Sequence, residues 1–254
     1  MKTNIKKTVL ILSITVIMTL SMVGVYNDWL KHRPPPKLLL DDSVLIIYPG
    51  FTEVAYAENS FYAYYDKRCD ESCLTRDMDI QKGARYILGL NSYDIFFQSY
   101  YSINDIDIDK IPPMLKKYHT LILLHNEYVT QKVYDEITTH PNVIYLYPNA
   151  LYGEVSVDYK KNTMTLVKGH GYPDGTKNAF DWEWENTHQE LDCKEGEWNF
   201  RNVTNGIQID CYPELIISRD DTLQKYITDY IEESAKNHVS AKSDVDWSKA
   251  MPQT

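Results

Sequence analysis

Glycine is scarce in this chain, 10 residues of 254. None is arranged as G-x-x-x-x-G-K-[ST] or G-x-G-x-x-G, the loops that bring backbone N–H groups onto phosphate. The turn Pro49-Gly50-Phe51-Thr52 has neither pattern, so no nucleotide cofactor is expected. Basic side chains are also in deficit, 26 against 36 acidic ones. An acidic surface repels phosphate, which excludes nucleic acid as an expected partner. No G-x-S-x-G elbow is present, and with it the usual α/β serine-hydrolase signature is missing. No internal repeat is visible.

Charge is wholly missing from residues 8–26, and this is the most informative stretch of the chain. Nineteen helical residues at about 1.5 Å each span roughly 28 Å, close to the hydrocarbon thickness of a bilayer. Lys2, Lys6 and Lys7 precede the run, and Asp28, Lys31, Arg33 and Pro34-Pro35-Pro36 follow it. The run is longer than the apolar centre of a signal peptide and ends without an Ala-x-Ala site, so an uncleaved anchor is favoured over a removed signal. Tyr26 and Trp29 suit the water–lipid interface. The expected organisation is a short cytoplasmic amino terminus (1–7), an anchor or signal (8–26), a Pro-rich spacer (27–41), an α/β domain outside the cell membrane (42–234) and a polar tail (235–254).

The four cysteines, Cys69, Cys73, Cys193 and Cys211, are few and even in number. In an oxidising compartment they form two disulfides, with three connectivities open. The simplest is local, Cys69–Cys73 and Cys193–Cys211. A zinc site competes poorly, because neither spacing is a common knuckle and no histidine is near. Asn202-Val203-Thr204 is an N-glycosylation sequon, in agreement with an exterior location. The first 37 residues hold six basic side chains and one acidic one, which leaves 20 basic and 35 acidic in residues 38–254, a formal charge of −15.

Short apolar runs at 44–48, 93–97, 120–124, 143–147 and 215–218 read as strands. Helices are predicted over 79–90, over 130–138 with Thr130 as cap, and over 220–233. Continuous apolar strands separated by helices indicate a parallel sheet covered on both faces. Residues 154–159 and 163–168 flank Lys160-Lys161-Asn162 and read as an antiparallel hairpin. Residues 169–201 read mostly as loop, and the chain from Ala235 as a frayed tail.

This order resembles the flavodoxin-like sheet of class I glutamine amidotransferase-like domains. The run His125-Asn126-Glu127-Tyr128-Val129-Thr130, at the end of an apolar strand, resembles the H-x-E-Y-[WV]-[ST] turn in the carboxy-terminal domain of N,N-dimethylformamidase large-subunit-like proteins. Residues 142–155 are similar to the next strand and its exit, and the likeness spans roughly residues 42–190. The chain also resembles membrane-anchored archaeal proteins. The resemblance implies a mononuclear iron held by tyrosine and glutamate, for which Tyr128 and Glu127 are the positions to test. A glutaminase, however, needs a cysteine on the turn after a sheet strand. Pro148-Asn149-Ala150-Leu151 offers no thiol or hydroxyl there, so a working glutaminase is not expected.

His125 and Glu127 are the candidate catalytic pair, because open α/β sheets place their ligand crevices at strand carboxyl ends. Tyr128, His170, Glu183 and His188 are candidate ligand-binding residues. Gly169 and Gly171 permit a tight path around His170, and Trp182 and Trp184 flank Glu183. A metal ion is compatible with these residue types, and its identity is unknown. The bland explanation is that His125 and Glu127 only tie the turn, with Tyr62, Tyr64 and Tyr65 packing nearby. Three functions remain open at this point. They are a binding module for a small molecule, glycan or envelope protein, a hydrolase of C–N or ester bonds, and a structural envelope component. Convergence of His125, Glu127, His170 and Glu183 favours the hydrolase.

Overall fold

The structure, a computed structural model, describes residues 44–79, 88–98, 100–111, 115–181 and 191–243, with no side chains described for 237–243. The anchor at 8–26, the spacer at 27–41, most of the helix expected at 79–90, and Trp182, Glu183, Trp184 and His188 lie outside the described residues. Among the described residues no helix is long and apolar enough to cross a membrane.

The centre is a mostly parallel sheet. β1 (Val44–Tyr48) lies between β3 (Tyr101–Asn104) and β4 (Thr120–Leu123), followed by β6 (Val143–Tyr145) and β10 (Gly206–Ile209). All these neighbours are parallel, and β9 (Phe200–Val203) closes the edge antiparallel to β10. Alternation of side chains explains the unbroken apolar strands. Leu45, Ile47, Leu121 and Leu123 enter one core, and Val44, Ile46, Ile122 and Leu124 enter the other. Helices cover both faces. The first core takes Phe51 and Val54 of α1 (Gly50–Ala55), Phe61 of α2 (Phe61–Tyr65), Ile106 of α4 (Asp105–Lys110) and Val133 of α5 (Gln131–Thr138). The second takes Tyr93 of α3 (Leu90–Phe97) and Leu223, Ile227 and Ile231 of α6 (Asp221–Ser243).

The hairpin β7 (Gly153–Asp158) and β8 (Thr163–Lys168) forms as expected, and builds a second sheet with β2 (Thr75–Asp77) and β5 (Tyr128–Val129) in the order β2-β8-β7-β5. Helix α5 starts where its cap predicts, with Thr130 Oγ1 accepting the Val133 N–H at 3.2 Å.

Four expectations are corrected. Residues 93–97 are helix, not strand, because Leu90, Tyr93 and Phe97 bury one face at helical spacing. Residues 215–218 are a turn closed by Ile216 and Ile217 N–H groups on Pro213 O, and not a strand. The fifth parallel strand is β10, within a hairpin whose first strand begins at the end of the expected loop. The polar tail does not start at 235, since α6 continues to Ser243.

Both local disulfides are present, Cys69–Cys73 and Cys193–Cys211. The second lies in the α3/α6 core and joins the segment before β9 to the turn after β10. A closed loop of this length lowers unfolded-chain entropy by the equivalent of roughly 3 kcal/mol, and the Cys69–Cys73 loop by roughly 2 kcal/mol. Replacing Cys193 and Cys211 by serine is therefore expected to lower the urea midpoint more than the same change at Cys69 and Cys73. The reverse order would contradict this account. Asn202 and Thr204 of the sequon are exposed, Asn202 on the edge strand.

Candidate functional site

Three parallel strands end together and deliver the site. β4 leads into Leu124-His125-Asn126-Glu127, β6 into Leu146-Tyr147, and β1 into α1, which Tyr56 terminates. The segment after β4 is tied down before any side chain acts. Thr52 Oγ1, in α1, accepts the N–H groups of both Glu127 and Tyr128 at 3.0 Å. Glu127 O accepts the Gly153 N–H at 2.9 Å. A Cβ at Gly153 would lie 2.5 Å from the Tyr128 ring, so glycine lets β7 approach β5 here.

The Glu127 carboxylate is fully buried. Tyr56 donates to it at 2.7 Å, Tyr62 at 3.1 Å and Tyr147 at 3.5 Å, and His170 Nε2 makes a short contact with Oε1. His125 Nε2 lies 3.9 Å from Oε2. Burial alone would raise the Glu127 pKa. The charge and hydrogen bond of His170, then His125 and the Tyr56 hydroxyl, reverse this and hold it below its ordinary value. Glu127 is thus an anion at neutral pH. The phenols respond in the opposite sense. Burial, followed by the charge of Glu127, pushes Tyr56, Tyr62 and Tyr147 well above the usual tyrosine range, so they remain donors.

His125 is oriented from behind. Its Nδ1 is 3.0 Å from Glu214 Oε1, and its ring stacks on Tyr147 with centroids 3.5 Å apart. Its Nε2 is buried and has no hydrogen-bond partner among the described residues. His170 arrives from the far side of the hairpin, between Gly169 and Gly171, with a left-handed φ of 47°. It packs against the rings of Tyr62, Tyr65, Tyr128 and Tyr152 at centroid distances of 5.6, 5.0, 6.0 and 4.6 Å.

A cleft of about 540 Å³ opens beside this cluster, lined by Tyr56, Tyr62, Tyr65, His125, Tyr147 and His170 together with Asp66, Asn149, Asp192 and Tyr212. A second hollow of about 660 Å³ lies across Tyr65 and His170 and adds Lys67, Arg68 and Tyr172. The buried Glu127 carboxylate lines neither cavity.

No protein-family model matches the chain, and no curated protein is detectably similar to it.

The structure brings His125, Glu127 and His170 together. Glu183 and His188 lie outside the described residues. Tyr128 belongs to the same cluster but does not line the cleft; its ring is buried between Phe61 and His170 and its hydroxyl lies 3.5 Å from that of Tyr65. Tyrosines 56, 62 and 147 and Glu214 are site residues that sequence reading missed. One signal was available: Tyr62 and Tyr65 stand one helical turn apart on α2, beside the strand-end turn. Among the described residues no group of three or more His, Cys, Asp and Glu side chains is placed to hold a metal ion. An oxygen-donor site is a separate matter. The Glu127 carboxylate and the Tyr56 and Tyr62 hydroxyls lie within 2.7–3.1 Å of one another, and with the phenol protons removed these oxygens would form a hard donor set of the kind ferric iron takes.

Proposed function

We propose that the domain is a hydrolase of small C–N or ester substrates, held outside the cell membrane by an amino-terminal anchor at residues 8–26. The observation that carries this reading is the convergence of two imidazoles on one buried carboxylate at the carboxyl edge of the parallel sheet. Proton transfer by positioned side chains accelerates such reactions by about 10²–10⁴. The parallel strands, taken in chain order, run 2-1-3-4-5, which supports a flavodoxin-like sheet with its ligand crevice at that edge. The paired cysteines support an oxidising exterior, and the exposed sequon supports glycosylation at Asn202.

The strand exit after β6 carries no nucleophile, so water attacks the substrate carbonyl. His125 is the base. Glu214 holds its Nδ1, and its unpartnered Nε2 takes the water proton. His170, hydrogen-bonded to Glu127, gives a proton to the departing nitrogen or oxygen. Glu127 keeps that imidazole oriented and stabilises its positive form. Were ferric iron bound, Glu127, Tyr56 and Tyr62 would hold it, and it would supply Lewis-acid polarisation of the carbonyl.

The test is hydrolysis of a panel of short amides and esters by the full chain. Glu127→Gln and His170→Gln are each expected to lower kcat/KM by about 10²–10⁴. A panel that is not hydrolysed, or a Glu127→Gln enzyme at full rate, would refute the assignment.

A further inference from the structure

The cleft beside Glu127 has a chemistry that the hydrolytic reading leaves unspecified. No lysine or arginine among the described residues lines it. Its walls are tyrosine rings, with Tyr147 and Tyr212 stacked at a centroid distance of 4.9 Å and Tyr56 and Tyr62 in tilted contact at 4.4 Å. Each imidazole is matched by its own carboxylate, His125 by Glu214 and His170 by Glu127. Asp66 is engaged by Arg68 at 2.9 Å. Among the described residues Asp192 makes no ion pair, so it adds an unmatched carboxylate to the lining of the cleft.

The hydrogen-bonding pattern agrees with the charge. Two lining residues carry buried polar atoms without a hydrogen-bond partner among the described residues, Asn149 Oδ1 and His125 Nε2. Asn149 is 6% exposed and His125 7%, so both side chains are more than nine-tenths buried. The Asn149 amide nitrogen is occupied by the Tyr212 hydroxyl at 3.3 Å, and His125 Nδ1 by Glu214. What remains on each is an acceptor. A buried acceptor left alone costs about 1–3 kcal/mol, which a ligand N–H would recover. Aromatic faces beside an uncompensated carboxylate favour a cation over a neutral isostere.

From these features we infer that the cleft takes a primary organic ammonium group, so that the substrate is a small amide or ester carrying a protonated amine. This rests on the cleft being the substrate site of the proposed hydrolase. The ammonium would donate to Asn149 Oδ1 and lie over Tyr212 with Asp192 at the rim.

Calorimetric titration of the full 254-residue chain with propylammonium, 1-propanol and propionate tests the inference without turnover. Propylammonium is expected to bind at least about tenfold more tightly than 1-propanol, and propionate not to bind. Tyr212→Ala and Asp192→Asn are each expected to weaken propylammonium by roughly threefold or more while leaving any binding of 1-propanol unchanged. Equal binding of alcohol and ammonium, tighter binding of propionate, or full affinity in both variants would overturn it. The two readings fail separately. An inactive protein with this order of affinities removes only the hydrolase, and an active one that prefers the alcohol removes only the ammonium site.

Discussion

At pH 8 the Asp105→Asn variant is expected to be more stable to urea than the parent protein by roughly 5 kcal/mol, and at pH 4 by less than about 1 kcal/mol. Asp105 follows β3 at the same sheet edge as Glu127 and is fully buried. It accepts the Phe51 N–H at 3.1 Å and the Asn126 amide at 2.9 Å. Burial pushes its carboxyl up to about 8, and the hydrogen bonds from Asn126 and from the backbone of Phe51, Gly50 and Ile106 offset only part of that shift. The sign follows directly. The folded protein keeps this proton up to about pH 8, whereas the unfolded chain releases it near the ordinary aspartate value of 3.8. Folding therefore takes up a proton between those limits, and the contribution to stability falls as pH rises from about 4 to 8. An amide at 105 can still accept from Phe51 N–H but has no charge to lose. Urea midpoints at pH 4, 6 and 8 decide the matter, and parallel pH slopes for the two proteins would refute it.

Removing the Glu127 carboxylate has the second largest expected effect, and it runs against stability. Glu127→Ala leaves the Tyr56 and Tyr62 hydroxyls and the His170 ring without their common acceptor in a closed interior. Losing one member of a buried ion pair costs about 3–5 kcal/mol. Glu127→Gln keeps one acceptor oxygen for the phenols and is expected to cost about half as much. Both are read from urea midpoints at pH 7, and an alanine variant within about 1 kcal/mol of the parent would contradict the network. The pH dependence of Glu127 is opposite to that of Asp105. Its pKa is lowered on folding, so its contribution is present above 4.5 and is lost as pH falls through the folded value.

Some of the fold was legible because both kinds of burial leave marks in composition. Residues 44–48, 120–124 and 143–147 are apolar without interruption, as strands must be when helices cover both faces of a sheet. Thr130 announced α5 through its capping hydroxyl. The segment 93–97 misled because Tyr-Asp-Ile-Phe-Phe fits both the period of a strand and that of a helix. Only its neighbours Leu90 and Phe97, buried together with Tyr93, select the helix. Strand β10 was missed for the contrary reason. Gly206 and Gln208 break its apolar run, and Gln208 is tolerated in the interior because its amide donates to Tyr147 O and Pro148 O.

The site divides along the same line. His125, Glu127 and His170 were recognisable as a group because ionisable side chains beside a strand end or between glycines are uncommon in packing. The tyrosines were not recognisable, since a phenol serves equally well in a core, at a surface or as a donor.

By itself, the sequence determined the α/β class of fold, the even number of cysteines and the acidic character of the domain. Each follows from composition, spacing or charge along the chain. Only the tertiary structure decided that Tyr56, Tyr62 and Tyr147 point at one carboxylate, that Glu214 stands behind His125, and that His170 crosses from the hairpin to meet Glu127. Those contacts join residues 20 to 89 positions apart. Their partners are chosen by how the strand ends and the second sheet pack together, and no local pattern encodes that choice.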